Sequence, residues 1–259
     1  MTRNLIYELW SRRSLVMLLA IDDIKTRYRN SVLGFLWTFL EPLLMLSVLY
    51  FVFSNIFKSN IQDYPLYLLL GLIIWYMFSR SSTMGLSSLI NKGSIIQQIY
   101  FRREIVVISA CLTAFIMMVF EFTAFGIFAA IFHLKPSPTI VLLPLVLIDV
   151  FFLSLGISFF LSVLNVRFRD ISFIWQVVLQ AGFFISPIIY KLDMFPENVS
   201  TILKFNPLVP IFDAAHDLVL YNTLPSLISM AYMIISTTII FLVGYLVFRI
   251  KNKKIAEEL

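Results

Sequence analysis

The chain has few charged residues and a single cysteine. Only 14% of its 259 residues are charged and 60% are hydrophobic, whereas soluble domains are about one quarter charged and about half apolar. This composition excludes a soluble globular domain. The single cysteine, Cys111, also excludes a disulfide or a cysteine metal site within one chain.

No nucleotide-binding or catalytic motif is present either. The chain lacks even a Gly-Lys dipeptide, and therefore has no Walker-type phosphate loop. His133 and His216 have no partner pattern, and we expect both in loops or at the membrane interface. We predict no catalytic residue, no metal site and no cofactor in this chain. If the protein uses ATP, another polypeptide must hydrolyse it.

Long apolar runs make up most of the sequence. Runs of 20 or more apolar residues recur, and each can cross about 30 Å of hydrocarbon. The sequence predicts an all-α integral membrane protein in which 1–259 form one transmembrane domain. The six predicted transmembrane helices are 32–53, 65–90, 105–132, 139–164, 171–190 and 224–248. No cleavable signal peptide is predicted, because no small-residue cleavage site follows the first apolar run.

The basic residues indicate how the chain lies in the membrane. An even number of spans puts both termini on one side, and that side carries fifteen lysines and arginines against four on the other. By the positive-inside rule, we expect both termini in the cytoplasm. The net charge of +5 arises in short loops between spans and does not indicate a nucleic-acid partner.

Residues 1–29 are expected to form an amphipathic helix in the cytoplasmic interface. Apolar side chains alternate there with arginines, and the apolar run that follows is too short to span. The pairs Asp22–Lys25 and Asp23–Arg27 have favourable helical spacing.

A second irregular segment, 91–104, is predicted to be a cytoplasmic coupling loop. Its centre is amphipathic and holds Ile95, Ile96 and Ile99. Two interpretations remain open for it, an interfacial turn and a docking helix for a cytoplasmic partner.

The third irregular segment, 191–223, lies between spans five and six on the opposite side. It is too apolar for a solvated loop, yet Pro207 and Pro210 prevent one continuous helix. We expect short re-entrant helices that dip into the outer leaflet, with protein or a water-filled cavity covering their broken backbone.

Four ionisable residues fall within predicted spans: Glu41, Arg80, Glu121 and Asp149. Such groups are costly in a membrane and usually face protein or a cavity. For each of them, an interhelical polar contact and a place on a transport path remain equally open.

Span five has a polar stripe. Ser172, Gln176, Gln180, Phe183 and Pro187 recur every three or four residues and would share one helix face. Amides exchange hydrogen bonds with hydroxyls, and aromatic faces attract the C–H edges of sugar rings. The stripe therefore indicates a neutral, hydroxyl-rich substrate.

Four segments in register resemble one family. Residues 24–37 followed by Pro42, and then 166–171, 186–190 and 206–210, are similar to type-2 ABC exporter permeases for polysaccharides such as O-antigen, teichoic acid and capsule. The resemblance covers nearly the whole chain.

This resemblance implies a homodimer in a bacterial or archaeal cytoplasmic (inner) membrane, bound to two separate ATPase subunits that supply ATP and Mg²⁺. The substrate would be a polysaccharide on an undecaprenyl-type lipid. Spans one and five would border a channel, for which the expected lining is Trp37, Phe173, Gln176, Gln180, Phe183 and Tyr190. The expected contacts to the ATPase are Lys25, Arg27, Arg29, Ile95, Ile99, Arg102, Arg103 and Glu104.

Three other functions differ in what they require of the sequence. An exporter of a drug or a lipid would have the same fold. A membrane-embedded transferase acting on lipid-linked sugars would require clustered acids or histidines at one membrane face, and the sequence shows no such cluster. A structural scaffold is disfavoured by the polar face of span five and by the broken helices after it.

Overall fold

The computed structural model describes residues 11–57, 61, 63–98, 101–135 and 138–258. Within these residues the chain is helical and contains no strand. The α-helices are α1 (Arg13–Arg27), α2 (Trp37–Phe57), α3 (Tyr64–Asn91), α4 (Gly93–Gln98), α5 (Glu104–Ile131), α6 (Leu143–Arg167), α7 (Ile171–Ile185), α8 (Glu197–Leu203), α9 (Val209–His216) and α10 (Leu227–Glu258). Short 3₁₀ turns precede α2, α6 and α8, and a π-helical turn follows α9.

Each of the six predicted spans overlaps one long or apolar helix. Four stretches of the described chain are long and apolar enough to cross a membrane: Gly34–Ser54, Glu104–Ile131, Pro138–Arg167 and Leu227–Asn252. The helix α3 has the length but carries an arginine and several serines and tyrosines. The helix α7 is apolar, but its 15 residues extend only about 22 Å.

The limits of two predicted spans are corrected. The first does not begin as helix at Val32, because the left-handed backbone of Gly34, at φ 52°, delays the first helical turn. The fifth does not continue to Tyr190. Ser186 is extended, as expected for a residue before a proline, and α7 therefore ends at Ile185.

The core of the bundle forms around α3. Twenty of its 28 residues are buried, and it packs against α2, α5, α6, α7 and α9. Its first half is apolar on every side, from Leu66 to Phe78 apart from Tyr67, Gly71 and Tyr76, and a helix hydrophobic all round is stable only when neighbours surround it. The helix α3 is therefore the scaffold against which the others are placed.

Small residues let α6 and α10 approach closely. A Cβ atom on Gly244 would lie 2.0 Å from the carbonyl oxygen of Gly156, and one on Gly156 would lie 2.5 Å from Cα of Phe241. Close backbone contact of this kind is typical of helix association in membranes. The Thr237 hydroxyl donates a hydrogen bond of 2.8 Å to Asp149 across the same pair of helices.

The bundle has two ends. We call the end that carries α1, α4 and the last turns of α10 the terminal end, and the end that carries 186–226 the loop end. At the terminal end, the Thr113 hydroxyl of α5 lies 3.2 Å from the Ala20 carbonyl oxygen of α1 and 2.9 Å from the Ser109 carbonyl oxygen of its own helix. Asp23 forms its ion pair with Lys92 at 2.9 Å rather than with Arg27. The helix α1 is thus fastened to α3 and α5. Residues 1–10 of the predicted amphipathic helix lie outside the described residues.

Candidate functional site

The helix α7 is exposed or only partly buried over nearly its whole length. Of its 15 residues, only Phe183 is buried. Phe173 is 68% exposed and Val177 is 66% exposed, and the amides of Gln176 and Gln180 are exposed beside them. An exposed, largely apolar helix face with two amides in its middle is available for a partner, lipid or substrate.

The structure separates the predicted channel residues into two groups. Trp37, Phe173, Gln176 and Gln180 lie on the exposed surface. Phe183 points inward and packs edge-on against Trp75 of α3, with ring centroids 5.7 Å apart. Their role in a channel remains a prediction.

Pro187 of the predicted stripe and Tyr190 of the predicted channel lining do not continue the α7 face, because the helix has ended at Ile185. Pro187 is buried and Tyr190 is half-buried. Two tyrosines of α3 hold this segment by its carbonyl groups. The Tyr64 hydroxyl donates to Ile189 at 3.0 Å, and the Tyr67 hydroxyl lies 3.1 Å from the Pro187 oxygen and 2.8 Å from that of Tyr190. The exit from α7 is therefore fixed to the scaffold helix.

Three of the four ionisable residues in the predicted spans meet in one network. Arg80 of α3 donates through Nη1 to Glu121 of α5, and through Nη2 to Glu41 of α2 at 2.9 Å. The Arg80 and Glu121 side chains are 6% and 0% exposed, whereas that of Glu41 is 42% exposed. The sequence left their roles open, and the structure shows that these residues tie three helices together. The fourth, Asp149, joins α6 to α10 as described above.

The predicted ATPase contacts on α1 and α4 are accessible in part. Lys25, Arg27 and Arg29 are exposed, and so is Ile95 on α4. Ile99 lies outside the described residues. The short helix α4 gives 91–104 a helical centre, and its role as a docking helix remains a prediction.

The other predicted ATPase contacts face the bundle more than the surface. Arg103 donates through Nη1 to the carbonyl oxygen of Asn252 and, at 2.9 Å, to its side-chain oxygen. Glu104 is 5% exposed and Arg102 is half-buried. Arg103 therefore joins the start of α5 to the last turns of α10.

The loop end contains a polar cavity that sequence reasoning missed. It has a volume of about 500 Å³, and we call it the loop-end cavity. Its charged lining consists of Lys191, Asp193, Lys204, Asp213 and Asp217. The statement that no acids cluster at one face is therefore wrong. The i, i+4 spacing of Asp213 and Asp217 was the available signal, whereas Asp193 comes close only through the fold.

His216 also lines this cavity, and it is buried rather than interfacial as expected. Its ring stacks on Tyr67 with centroids 3.8 Å apart, and Nε2 lies 3.1 Å from the Tyr67 carbonyl oxygen. The Phe212 backbone also hydrogen-bonds to the ring, so His216 joins α3 to its own helix. Burial lowers the pKa of His216, which keeps its ring neutral at pH 7.

Asp213 is the most perturbed acid of the cavity. Burial, and after it the carboxylates of Asp217 and Asp193, raise its pKa to about 7, although Lys204 opposes the shift. Asp213 therefore exchanges a proton near neutral pH. No group of histidines, cysteines and acids with the arrangement of a metal site occurs among the residues that the structure describes.

A helical bundle with several helices long and apolar enough to cross a membrane is typical of a membrane transport protein. The profile of the ABC-2 type transporter family matches residues 14–220, and the chain belongs to this family. Its relatives include an "O-antigen export system permease protein RfbA" of Klebsiella pneumoniae, 30% identical over 98% of both chains. Another protein of that name, from Myxococcus xanthus, is 26% identical over 99% of both chains. The "Polysialic acid transport protein KpsM" of Escherichia coli is 25% identical over 91% of this chain and 92% of its own.

Proposed function

We propose that this chain is the membrane subunit of an ATP-driven exporter that moves lipid-linked polysaccharide, such as O-antigen, across the cytoplasmic membrane. The observation that carries the proposal is the exposed face of α7, on which Gln176 and Gln180 stand among aromatic and apolar residues. Amides and aromatic rings suit the hydroxyl and C–H groups of a glycan. Similarity to export permeases over the full chain supports the same function.

The working unit in this proposal is a homodimer in which the α7 faces of two copies border the channel. A single copy leaves the α7 face and much of α2 uncovered, with Phe51 83% exposed. In this arrangement all six long or apolar helices span the membrane. The pair α7 and 186–190 forms the fifth span, because the mostly buried turn at 186–190 adds to the length of α7.

Energy enters, in this proposal, from two separate ATPase subunits at the terminal end, which is cytoplasmic by the positive-inside rule. The chain has no phosphate loop of its own. The exposed cations of α1 and the helix α4 would contact the ATPase, and Arg103 would couple this contact to α10 through Asn252. The re-entrant helices α8 and α9 would close the outer exit.

The test is ATP-dependent export by the chain and its ATPase subunit, reconstituted together in vesicles with lipid-linked polysaccharide. The double variant Gln176→Leu, Gln180→Leu should lower the export rate by about 5- to 150-fold, because losing two hydrogen bonds to the moving glycan costs about 1–3 kcal/mol. Expression and assembly with the ATPase should be unchanged, because both side chains are exposed.

The matched control is Thr123→Val, which removes one exposed polar group from α5 and should leave export as it is. Export that persists in the glutamine double variant would refute the assignment of the channel face. If the wild-type complex moves a drug or a lipid but no lipid-linked glycan, the proposed substrate is wrong.

A further inference from the structure

The short connection between α6 and α7 carries two arginines for which the bundle provides no partner. We call its residues 167–170 the arginine corner. All four of them, Arg167, Phe168, Arg169 and Asp170, are exposed. Neither arginine forms an ion pair or a side-chain hydrogen bond among the described residues, not even with the adjacent Asp170. Two guanidinium groups are therefore available to a ligand.

The backbone around the corner is fixed to the bundle. Phe168 is extended, at φ −131° and ψ 97°, and its N–H donates to the Leu164 carbonyl of α6 at 2.8 Å. The Asn165 side chain donates to the Leu86 carbonyl of α3 at 3.2 Å. The corner is thus attached to the scaffold helix close to where α3 leads into α4, and it lies at the terminal end.

The charges of the corner suit an anion. It has two cations and one carboxylate, and the positive end of the α7 dipole lies next to it. The Cζ atom of Arg167 lies 5.2 Å from the centre of the Phe168 ring, a cation–π contact that orders one of the two guanidinium groups. Guanidinium groups bind phosphate through paired, charge-assisted hydrogen bonds. We therefore expect a phosphate group at this corner.

The surface beside the corner indicates that the phosphate belongs to a lipid. Phe168 is 53% exposed, Phe173 in the first turn of α7 is 68% exposed, and Val177 one turn further on is 66% exposed. These apolar side chains lead from the corner along the exposed face of α7. A free phosphate would contact only the arginines, whereas a lipid would also cover the apolar side chains with its hydrocarbon chain. A cytoplasmic protein would leave Val177 uncovered.

We propose that the arginine corner binds the phosphate of the lipid that carries the glycan, before the glycan enters the channel along α7. This rests on the proposed function, because the lipid is taken to be the carrier of the exported polysaccharide. Arg167 and Arg169 would recognise the carrier, and the amides of α7 would contact the glycan. In the proposed arrangement the terminal end is cytoplasmic, which is the side from which the substrate comes.

The test measures how the complex of this chain with its ATPase subunit, in phosphatidylcholine nanodiscs, binds farnesyl diphosphate. This probe is a short isoprenoid with a diphosphate headgroup, and a non-hydrolysable ATP analogue fills the nucleotide sites of the ATPase. The double variant Arg167→Gln, Arg169→Gln should raise the dissociation constant about tenfold, because two charge-assisted contacts are lost. Farnesol, which lacks the phosphates, and inorganic pyrophosphate, which lacks the chain, should each bind at least about tenfold more weakly than the probe.

A neighbouring substitution tests the sign of the charge effect. Asp170→Asn removes the carboxylate of the same corner, and it should lower the dissociation constant about twofold because a repulsion screened by water is lost. Lys251→Gln removes an exposed cation from α10 and should leave the constant unchanged. The unfolding temperature of each variant and its co-purification with the ATPase report that the complex is folded and assembled.

Five results would overturn the proposal. Equal binding of the probe by the arginine double variant and the wild type would refute the site. Tight binding of farnesol would show that the apolar face alone binds, and tight binding of pyrophosphate would indicate a site for free phosphate. Displacement of the probe by phosphatidylglycerol in the disc would make an ordinary phospholipid the occupant. Loss of the ATPase from the double variant would indicate a protein contact instead.

Export by the complex in vesicles separates this proposal from the proposed function. If the arginine double variant exports lipid-linked glycan as fast as the wild type, the corner is not the carrier site and the proposed function stands. If the wild type exports no glycan, the proposed function itself has failed. Weaker binding of farnesyl diphosphate by the double variant would then still establish a site for a lipid phosphate.

Discussion

The helices α3 and α7 are both strongly apolar, yet α3 is largely buried in the bundle and α7 is largely exposed. Twenty of the 28 residues of α3 are buried, against one of the 15 residues of α7. The polar groups of α3 find partners inside the chain, as Arg80, Tyr64 and Tyr67 do. The amides of α7 instead face outward. The comparison shows that apolar character alone does not distinguish a buried scaffold helix from a helix with a surface available to a partner.

The largest loss of stability is expected from a substitution of Arg80 in the scaffold helix α3. The variant Arg80→Met leaves Glu121 buried at 0% exposure without its cation, and loss of one partner of a buried pair costs about 3–5 kcal/mol. We expect little folded protein, measured as a monodisperse peak in detergent chromatography and by thermal unfolding.

The double variant Arg80→Met, Glu121→Met should restore most of the loss, because no charge then remains without a partner inside the bundle. A matched change on α7, Val177→Met, should leave the unfolding temperature unchanged. An Arg80→Met protein as stable as the wild type would show that the network does not hold the three helices together.

A smaller effect is expected from two glycines that differ only in their surroundings. A Cβ atom on Gly244 would overlap the Gly156 carbonyl oxygen, whereas one on Gly126 would meet nothing within 4 Å. Gly244→Ala should lower stability by about 1–3 kcal/mol, since the crowded helices must move apart. Gly126→Ala should be neutral or raise stability by up to about 1 kcal/mol through helix propensity.

Thermal unfolding of the two glycine variants in the same detergent provides the measurement. Equal unfolding temperatures for the two variants would mean that α6 and α10 do not pack closely. The difference in burial between α3 and α7 would then not indicate which substitutions lower the stability of the bundle.

Substitutions on the exposed face of α7 should hardly change the stability of the protein, but they should report how two copies associate. In a Cys111→Ala background, Val177→Cys on α7 should cross-link two copies through a short bis-maleimide in native membranes. Val119→Cys, which is 52% exposed on α5, should not. Electrophoresis under denaturing conditions separates the products. Equal cross-linking at both positions would contradict the assignment of the α7 face to the second copy.

Much of the helical layout was predictable because it is local. The predicted spans 65–90 and 105–132 agree with α3 and α5 within one residue at each end, since a segment in lipid must satisfy its backbone hydrogen bonds internally. The fifth span was predicted too long because its apolar run continues through 186–190. There the chain leaves the helix in a turn, and its carbonyl groups bond to tyrosines of α3 that are more than a hundred residues away.

Some residues of the candidate sites were predictable from local spacing, and others depend on the fold. Gln176 and Gln180 were found from their spacing, because the period of one helix decides which residues share a face. Arg103 and Glu104 were expected at the surface, but the first bonds to Asn252 and the second is buried. The loop-end cavity was missed because Asp193, Asp213 and Lys204 belong to three different segments. No spacing rule covers residues that only the fold brings together.

By itself, the sequence determined that this protein is a helical membrane protein without a phosphate loop, in which α7 carries a polar face. Hydropathy and helical period suffice for these properties, because each depends on residues within a few turns of one another. Only the tertiary structure decided that Glu41, Arg80 and Glu121 form one network, that α7 remains uncovered and that acids gather around His216. These depend on which helices are neighbours, and that choice is made by side-chain packing and charge pairing between distant parts of the chain.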